Sequence, residues 1–167
     1  STSGTLRTGV ANALPTTREP ESEAVLIDAN LLLYAIDSSS QWHAQAAGWL
    51  TRQLNGERRV AMPWPTLTAF LRISTHPRVW AHPLRVDEAW GHIEDWLARD
   101  VVWTPSPTRH HAGVFKRLVA EAGASGNLVS DAHLGALALE HVLTVCSADG
   151  DFARFPGVRW SNPLVEV

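Results

Sequence analysis

From Val25 onward, short continuous apolar runs alternate with longer stretches in which apolar residues recur every three or four positions. The short runs are VLI (25–27), RVAM (59–62), VVWT (101–104), LTVC (143–146) and VRW (158–160). Runs of that kind suit strands buried on both faces. The periodic stretches predict helices over about 29–35, 41–54, 65–74, 87–99, 108–122 and 129–141. Trp42, Ala46, Trp49 and Leu50 share one helical face, as do Ala89, Ile93, Trp96 and Leu97. Local signals mark the ends. Pro65 suits a first helical turn, and Gly123 suits a C-terminal stop. The two His-Pro steps of THPRVWAHP (75–83) predict a loop, and GASGN (123–127) predicts a turn. Strands alternating with helices predict a three-layer α/β sandwich, with a central, mostly parallel sheet of about five strands flanked by helices. Residues 1–24 show no periodicity and are rich in Ser, Thr, Pro, Gly and Glu, which predicts a flexible N-terminal tail ahead of a domain over 25–167.

Composition narrows this picture only slightly. The 167 residues are 45% hydrophobic and 19% charged, ordinary for one globular domain. No apolar run reaches the roughly 18 residues of a membrane span. The N-terminus has no apolar leader core, and the lone Cys146 has no internal partner. Both fit a reducing, cytoplasmic setting. The net charge of −3 does not exclude a nucleic-acid partner, because an electrostatic field is local. Thirteen of the fourteen basic residues are arginine. That bias suits planar bidentate contacts to phosphate or carboxylate, and a GC-rich genome would produce it as well.

The chemistry lies at the strand ends. VLIDAN (25–30) closes a strand on Asp28, and LTVCSADGDF (143–152) closes another on Asp149 and Asp151. Asp131 stands near the head of the helix in NLVSDAHLGALALEH (127–141). In an open parallel sheet, ligands bind beyond the carboxyl ends of the strands, so these segments can converge. Each acid alone has a plain explanation: a helix cap for Asp28, a helix N-terminal charge for Asp131, a turn for the DGD sequence. Together they would repel one another and raise each other's pKa. A divalent cation removes that conflict. Hard oxygen donors without a Cys or His cluster favour Mg²⁺ or Mn²⁺ over Zn²⁺, and such an ion suits phosphoryl transfer.

Four segments, VLIDANLLLYAID, AFLRISTHPRVWAHPL, GNLVSDAHLGALALEH and SADGDFARFPGVRWSNP, together resemble a PIN-domain ribonuclease of the VapC toxin type. The resemblance spans about 25–165. It implies a Mg²⁺- or Mn²⁺-dependent endoribonuclease acting on cellular RNA (tRNA or rRNA), a cognate VapB-type antitoxin, and a homodimer. It implies Asp28, Asp131 and Asp149 as catalytic metal-site acids, with Asp151 an accessory ligand. Asn30 and Ser147 match small polar residues that orient water or carboxylates, and Asn127 matches one that braces the turn before Asp131. A helix-start side chain, a turn hydroxyl and an Asx turn are the plain alternatives for these three.

The chain departs from the family pattern at one point. Many PIN nucleases carry a Glu in the helix after the second strand, but here no acid occurs between Glu57 and Asp87. Leu67 or Thr68 takes its place, so one metal held by Asp28, Asp131 and Asp149 is expected rather than two. Glu140 is no substitute, because nine residues past Asp131 on one helix is half a turn out of phase. Arg72 is a candidate for phosphate contact or for pairing with an acid. Arg78, Arg85 and Arg154 are rim candidates or ordinary surface charges. The missing acid also admits a catalytically weak PIN domain that only binds RNA or antitoxin. An aspartyl phosphatase is disfavoured, since Asp28-Ala29-Asn30 lacks the Asp-x-Asp that class requires. The eight histidines match no zinc spacing, and His133 reads as a polar neighbour of Asp131. The eight tryptophans read mostly as core, with a few at a dimer or antitoxin interface and Trp80 the best candidate for exposure.

Overall fold

The structure, a computed structural model, describes residues 24–165. The chain order is β1 (Val25–Ile27), α1 (Ala29–Ile36), α2 (His43–Asn55), β2 (Val60–Ala61), α3 (Trp64–Ser74), α4 (Val86–Leu97), β3 (Val102–Trp103), α5 (His111–Ala122), α6 (Asn127–His141), β4 (Thr144–Cys146), a 3-10 helix (Gly150–Arg154) and β5 (Trp160–Ser161). The five strands form one sheet in the order β3-β2-β1-β4-β5, and every pairing is parallel. The expected three-layer sandwich is present. The tail expected over 1–24 lies outside the described residues except for Ala24. The Ala24 carbonyl accepts from Thr144 N at 3.0 Å, so β1–β4 pairing reaches one residue before Val25.

Alternation along the central strands builds the two cores. Val25 and Ile27 face one side with Val60, Met62 and Cys146, under α1 to α4. Leu26 faces the other with Ala61 and Val145, under α5, α6 and the 3-10 helix. Both sides of β1 are fully buried, which is why it reads as an unbroken apolar run. The chain winds outward from β1 through β2 to β3, then returns to place β4 on the opposite side of β1. In sheets of this kind ligands bind where the winding reverses, the end at which Asp28 follows β1 and Ser147 follows β4.

Two helix boundaries differ from expectation in ways that matter. The last helix begins at Asn127, not 129, because Gly126 adopts φ +58° and lets the chain turn into the helix earlier. Asp131 therefore sits beyond the first turn and is not a terminal charge. The helix expected from 108 begins at His111, because the Thr108 N–H and hydroxyl are both drawn to Glu140. The tryptophan reading is also corrected. Only Trp49 and Trp96 are buried, and Trp80 is half-buried against the α1–α4 core. The exposed ones are Trp64 at 48% and Trp90 at 40%. Trp80 is covered because its loop folds back, with Leu84 N donating to Ser74 O at 2.8 Å.

Thr66, itself buried, ties α3 to the end of β1 by donating from Oγ1 to Ile27 O at 2.9 Å. Phe70, one turn on, packs edge-on to Trp96 with ring centroids 4.8 Å apart. Thr66→Val keeps the volume and removes one hydrogen bond, and is expected to cost about 1–3 kcal/mol. Phe70→Ala leaves a cavity and is expected to cost about 3–5 kcal/mol. Urea denaturation should rank them in that order.

Candidate functional site

The site is assembled around a hydroxyl. Ser147 directly follows β4 and is fully buried. Its Oγ donates to Asp28 Oδ2 at 2.7 Å. It accepts from Asn30 Nδ2 at 3.0 Å and from Asp149 N at 2.9 Å. Asn30 completes the tie, its Oδ1 accepting from Ala148 N at 3.2 Å. The other Asp28 oxygen caps α1, accepting from Ala29 N at 2.8 Å. Asp28 thus caps α1 with one oxygen and holds Ser147 with the other. Trp160 holds the same loop from the far strand, its Nε1 donating to Ser147 O at 3.0 Å; nothing in the sequence signalled that contact.

Asp131 on α6 meets Asp149 and Asp151, each offering a carboxylate oxygen within 4.8 Å of the others. Asp149 also accepts from Asp151 N at 2.9 Å, capping the 3-10 helix. Asp28 stands beside this trio and feels it. Burial, and then the Asp149 charge against the pull of the Ser147 and Ala29 hydrogen bonds, raises its pKa. Burial together with the charges of Asp149, Asp28 and Asp151 pushes Asp131 up to about 7. Three carboxylates within reach of one ion, with Asp28 beside them, are an all-oxygen donor set that fits a hard divalent cation.

A cleft of about 770 Å³ opens beside them. Asp28, Asn30, Asn127, Asp131 and His133 line one part, and Trp64, Thr68 and Arg72 line the α3 wall. Thr68, not Leu67, takes the place facing the cleft, since Leu67 is buried in the core. The α3 wall carries no acid. Asn127 opens α6 and lines the cleft. Arg72 is exposed on that wall. Arg78 is exposed on the His-Pro loop and does not itself line the cleft. Arg85 is held by Asp87, Nε to Oδ1 at 3.0 Å and Nη2 to Oδ2 at 3.1 Å. Arg154 is exposed at the end of the 3-10 helix.

Sequence reading missed a second polar cluster. His111 Nδ1 lies 2.6 Å from Glu140 Oε2, and His111 Nε2 lies 2.9 Å from His133 Nδ1. Burial, and then the nearby charge of His111, lowers the His133 pKa. These residues are 22 and 29 positions apart on two helices, and no spacing rule joins them.

The PIN domain family model matches residues 25–158. The chain belongs to the PIN-domain family. Ribonuclease VapC37 of Mycobacterium tuberculosis is 41% identical over 138 residues, covering 83% of this chain and 96% of that protein. The PIN fold is also seen in VapBC2 from Rickettsia felis, bound to a DNA fragment from its promoter. That structure has a TM-score of 0.61 at 15% identity, covering 83% of this chain and 98% of the other. Mycobacterium tuberculosis VapC20, a Sarcin-Ricin loop cleaving toxin, gives a TM-score of 0.59 at 17% identity, covering 81% and 99%. At those identities the two structures bear on the fold alone.

The raised pKa of Asp131 sets a sign for pH in the metal-free PIN domain. Between an unfolded value near 3.8 and a folded value of about 7, the native state holds the extra proton. Stability therefore falls as pH rises through that window. Thermal melts in EDTA should show a lower Tm at pH 8 than at pH 5, and Asp131→Asn should flatten the difference. Mn²⁺ should raise Tm most at pH 8, because below 7 it must displace a proton.

Proposed function

We propose that the chain is a metal-dependent endoribonuclease, the toxin of a toxin–antitoxin pair, which hydrolyses phosphodiester bonds in cellular RNA. The observation that carries this is the trio Asp131, Asp149 and Asp151, with Asp28 beside it, at the sheet's switch point in a chain of VapC relatives. Asp28, Asp131 and Asp149 would hold one Mg²⁺ or Mn²⁺, with Asp151 as accessory ligand. When bound, that ion would lower the pKa of a water and stabilise charge on the scissile phosphate.

The chain's own groups have distinct tasks. Ser147 and Asn30 hold Asp28 in a fixed rotamer by the bonds described above, which is what a metal ligand's supporting shell does. Asp149, fixed from both sides by Ser147 Oγ and the Asp151 N–H, would orient the attacking water. Arg72 meets the RNA phosphate from the opposite wall of the cleft. Asn127 lines the entrance on the α6 side. Arg78 is a secondary phosphate contact at the rim; Arg85 gives up its Asp87 pair if it joins. The expected products are a 5′-phosphate and a 3′-hydroxyl, since water and not the 2′-hydroxyl is the nucleophile. A cytoplasmic setting, a homodimer and a VapB-type antitoxin complete the proposal. Exposed Trp64, Val79, Val86 and Trp90 on α3, α4 and their connection supply apolar area for such partners. Among the described residues, no helix is long and apolar enough to cross a membrane.

The acid-free α3 wall favours the second reading, a weak or inactive domain that binds without cutting. The two readings separate on one preparation. Antitoxin-free protein with Mg²⁺ or Mn²⁺ should cut total RNA at discrete sites. EDTA and Asp28→Asn or Asp131→Asn should each lower the rate by at least about a hundredfold, and titration should count one Mn²⁺ per chain. Intact RNA and no Mn²⁺ binding would leave the binding module. Arg72→Ala should raise KM several-fold with little change in kcat and should flatten the salt dependence by about one phosphate contact.

A further inference from the structure

Trp64 opens α3 between two prolines and is 48% exposed. Pro63 is buried and holds φ −66°, and the Pro65 ring fixes the φ of the next residue. Thr66, two positions on, is pinned by its bond to the carbonyl of Ile27, the residue before Asp28. The backbone that carries the indole is therefore stiff and registered to the strand that ends on Asp28. The indole itself is unoccupied: among the described residues, no aromatic ring pairs with it. Covering a large apolar ring is favourable, and a ring already held in place loses little freedom when it binds.

Its neighbours indicate the occupant. Of the exposed residues Trp64, Val79, Val86 and Trp90, Trp64 lines the cleft and the other three do not. Trp64, Thr68 and Arg72 form an i, i+4, i+8 stripe on α3, all exposed and all lining the cleft. Eight residues of helix set the ring and the guanidinium about 12 Å apart along the axis. Leu33, Ala69 and Ile73 add apolar surface to the same lining, which Asp28 and Asp131 share. A flat apolar face and a cation along one groove are the two contacts that single-stranded nucleic acid takes, stacking for its bases and charge for its backbone. A strand bound for cleavage must run past the acids, and this ring lies in the cleft that holds them.

We propose that Trp64 is a substrate-binding residue whose indole face stacks on one unpaired base flanking the scissile linkage, so seating the RNA phosphate at the acids. This rests on the ribonuclease reading above. Stacking uses the face of a base and not its edge, so the contact sets where the strand lies without selecting one base. The α3 wall then has two tasks: Trp64 takes a base, and Arg72 takes a phosphate. Val79, Val86 and Trp90 remain for protein partners.

The test uses the full chain, free of antitoxin, with Mg²⁺ or Mn²⁺ and an oligonucleotide carrying a cut site mapped in total RNA. Trp64→Ala should raise KM about tenfold, the fold-change for one stacked base, with kcat within about twofold. Trp64→Phe keeps a stacking face and should recover most of the loss. Stacking carries no charge, so Trp64→Ala should keep the wild-type salt dependence that Arg72→Ala flattens. A scan of single abasic nucleotides across the site needs no protein variant to show the contact. One position should raise the wild-type KM about tenfold and leave the KM of Trp64→Ala unchanged. Exchanging bases at that position should matter less than removing one. Wild-type KM in Trp64→Ala, or abasic effects equal in the two proteins, would overturn the proposal, leave the ring to a protein partner and let the ribonuclease reading stand. Failure of wild type to cut any RNA would sink both.

Discussion

Repulsion among four carboxylates is the constraint around which this chain is arranged. Asp28, Asp131, Asp149 and Asp151 come from three segments, and each is raised or crowded by the others. Nothing local would keep them together. The scaffold does it through β1 and β4, neighbours at the centre of the sheet, whose buried Ser147 bonds Asp28, Asn30 and the Asp149 backbone at once. Each of those bonds satisfies a group that would otherwise be buried unpaired. The network fixes Asp28 and the Asp149 backbone beside one another, the arrangement that the proposed cation would use. Stability without metal and readiness for metal are therefore opposed at Asp131.

The two walls of the cleft divide the chemistry. The α6 wall carries acid and imidazole, while the α3 wall carries Thr68, Arg72 and the exposed ring of Trp64. An anionic strand entering between them would meet Arg72 on one side and the acids of the proposed metal site on the other. The Thr66 bond to Ile27 O keeps the α3 wall registered to the strand that ends on Asp28. Movement of α3 would therefore disturb the acid position as well as the arginine.

Much of this was legible in the sequence because the signals were local. VLI followed by Asp28 marks a doubly buried strand and its exit, and the DGD sequence after LTVC marks another. Strand and helix alternation then limits topology to a parallel sheet whose strand ends share an edge. What was not legible depended on packing between distant segments. Trp80 read as exposed because His-Pro steps flank it, yet the loop folds back on the core. The start of α6 was misplaced because Gly126 at positive φ acts as an entry turn, and a glycine in GASGN does not say which conformation it will adopt. The pairing of His111 with His133 is invisible, since the α5–α6 crossing alone brings them together.

The missing acid on α3 is better understood from Arg72 than as a loss. An acid on that wall would add a fifth negative charge to a group that already drives Asp131 to about 7. Without it, the trio at 131, 149 and 151 can still gather around one cation. The wall position that would serve a second ion is then free to carry an uncharged Thr68, and Arg72 one turn on faces no carboxylate on its own helix. A cation there no longer competes with a metal for ligands. On the proposed ribonuclease reading it would meet phosphate from the opposite side, and charge neutralisation of the RNA would fall to two different groups rather than to two metals.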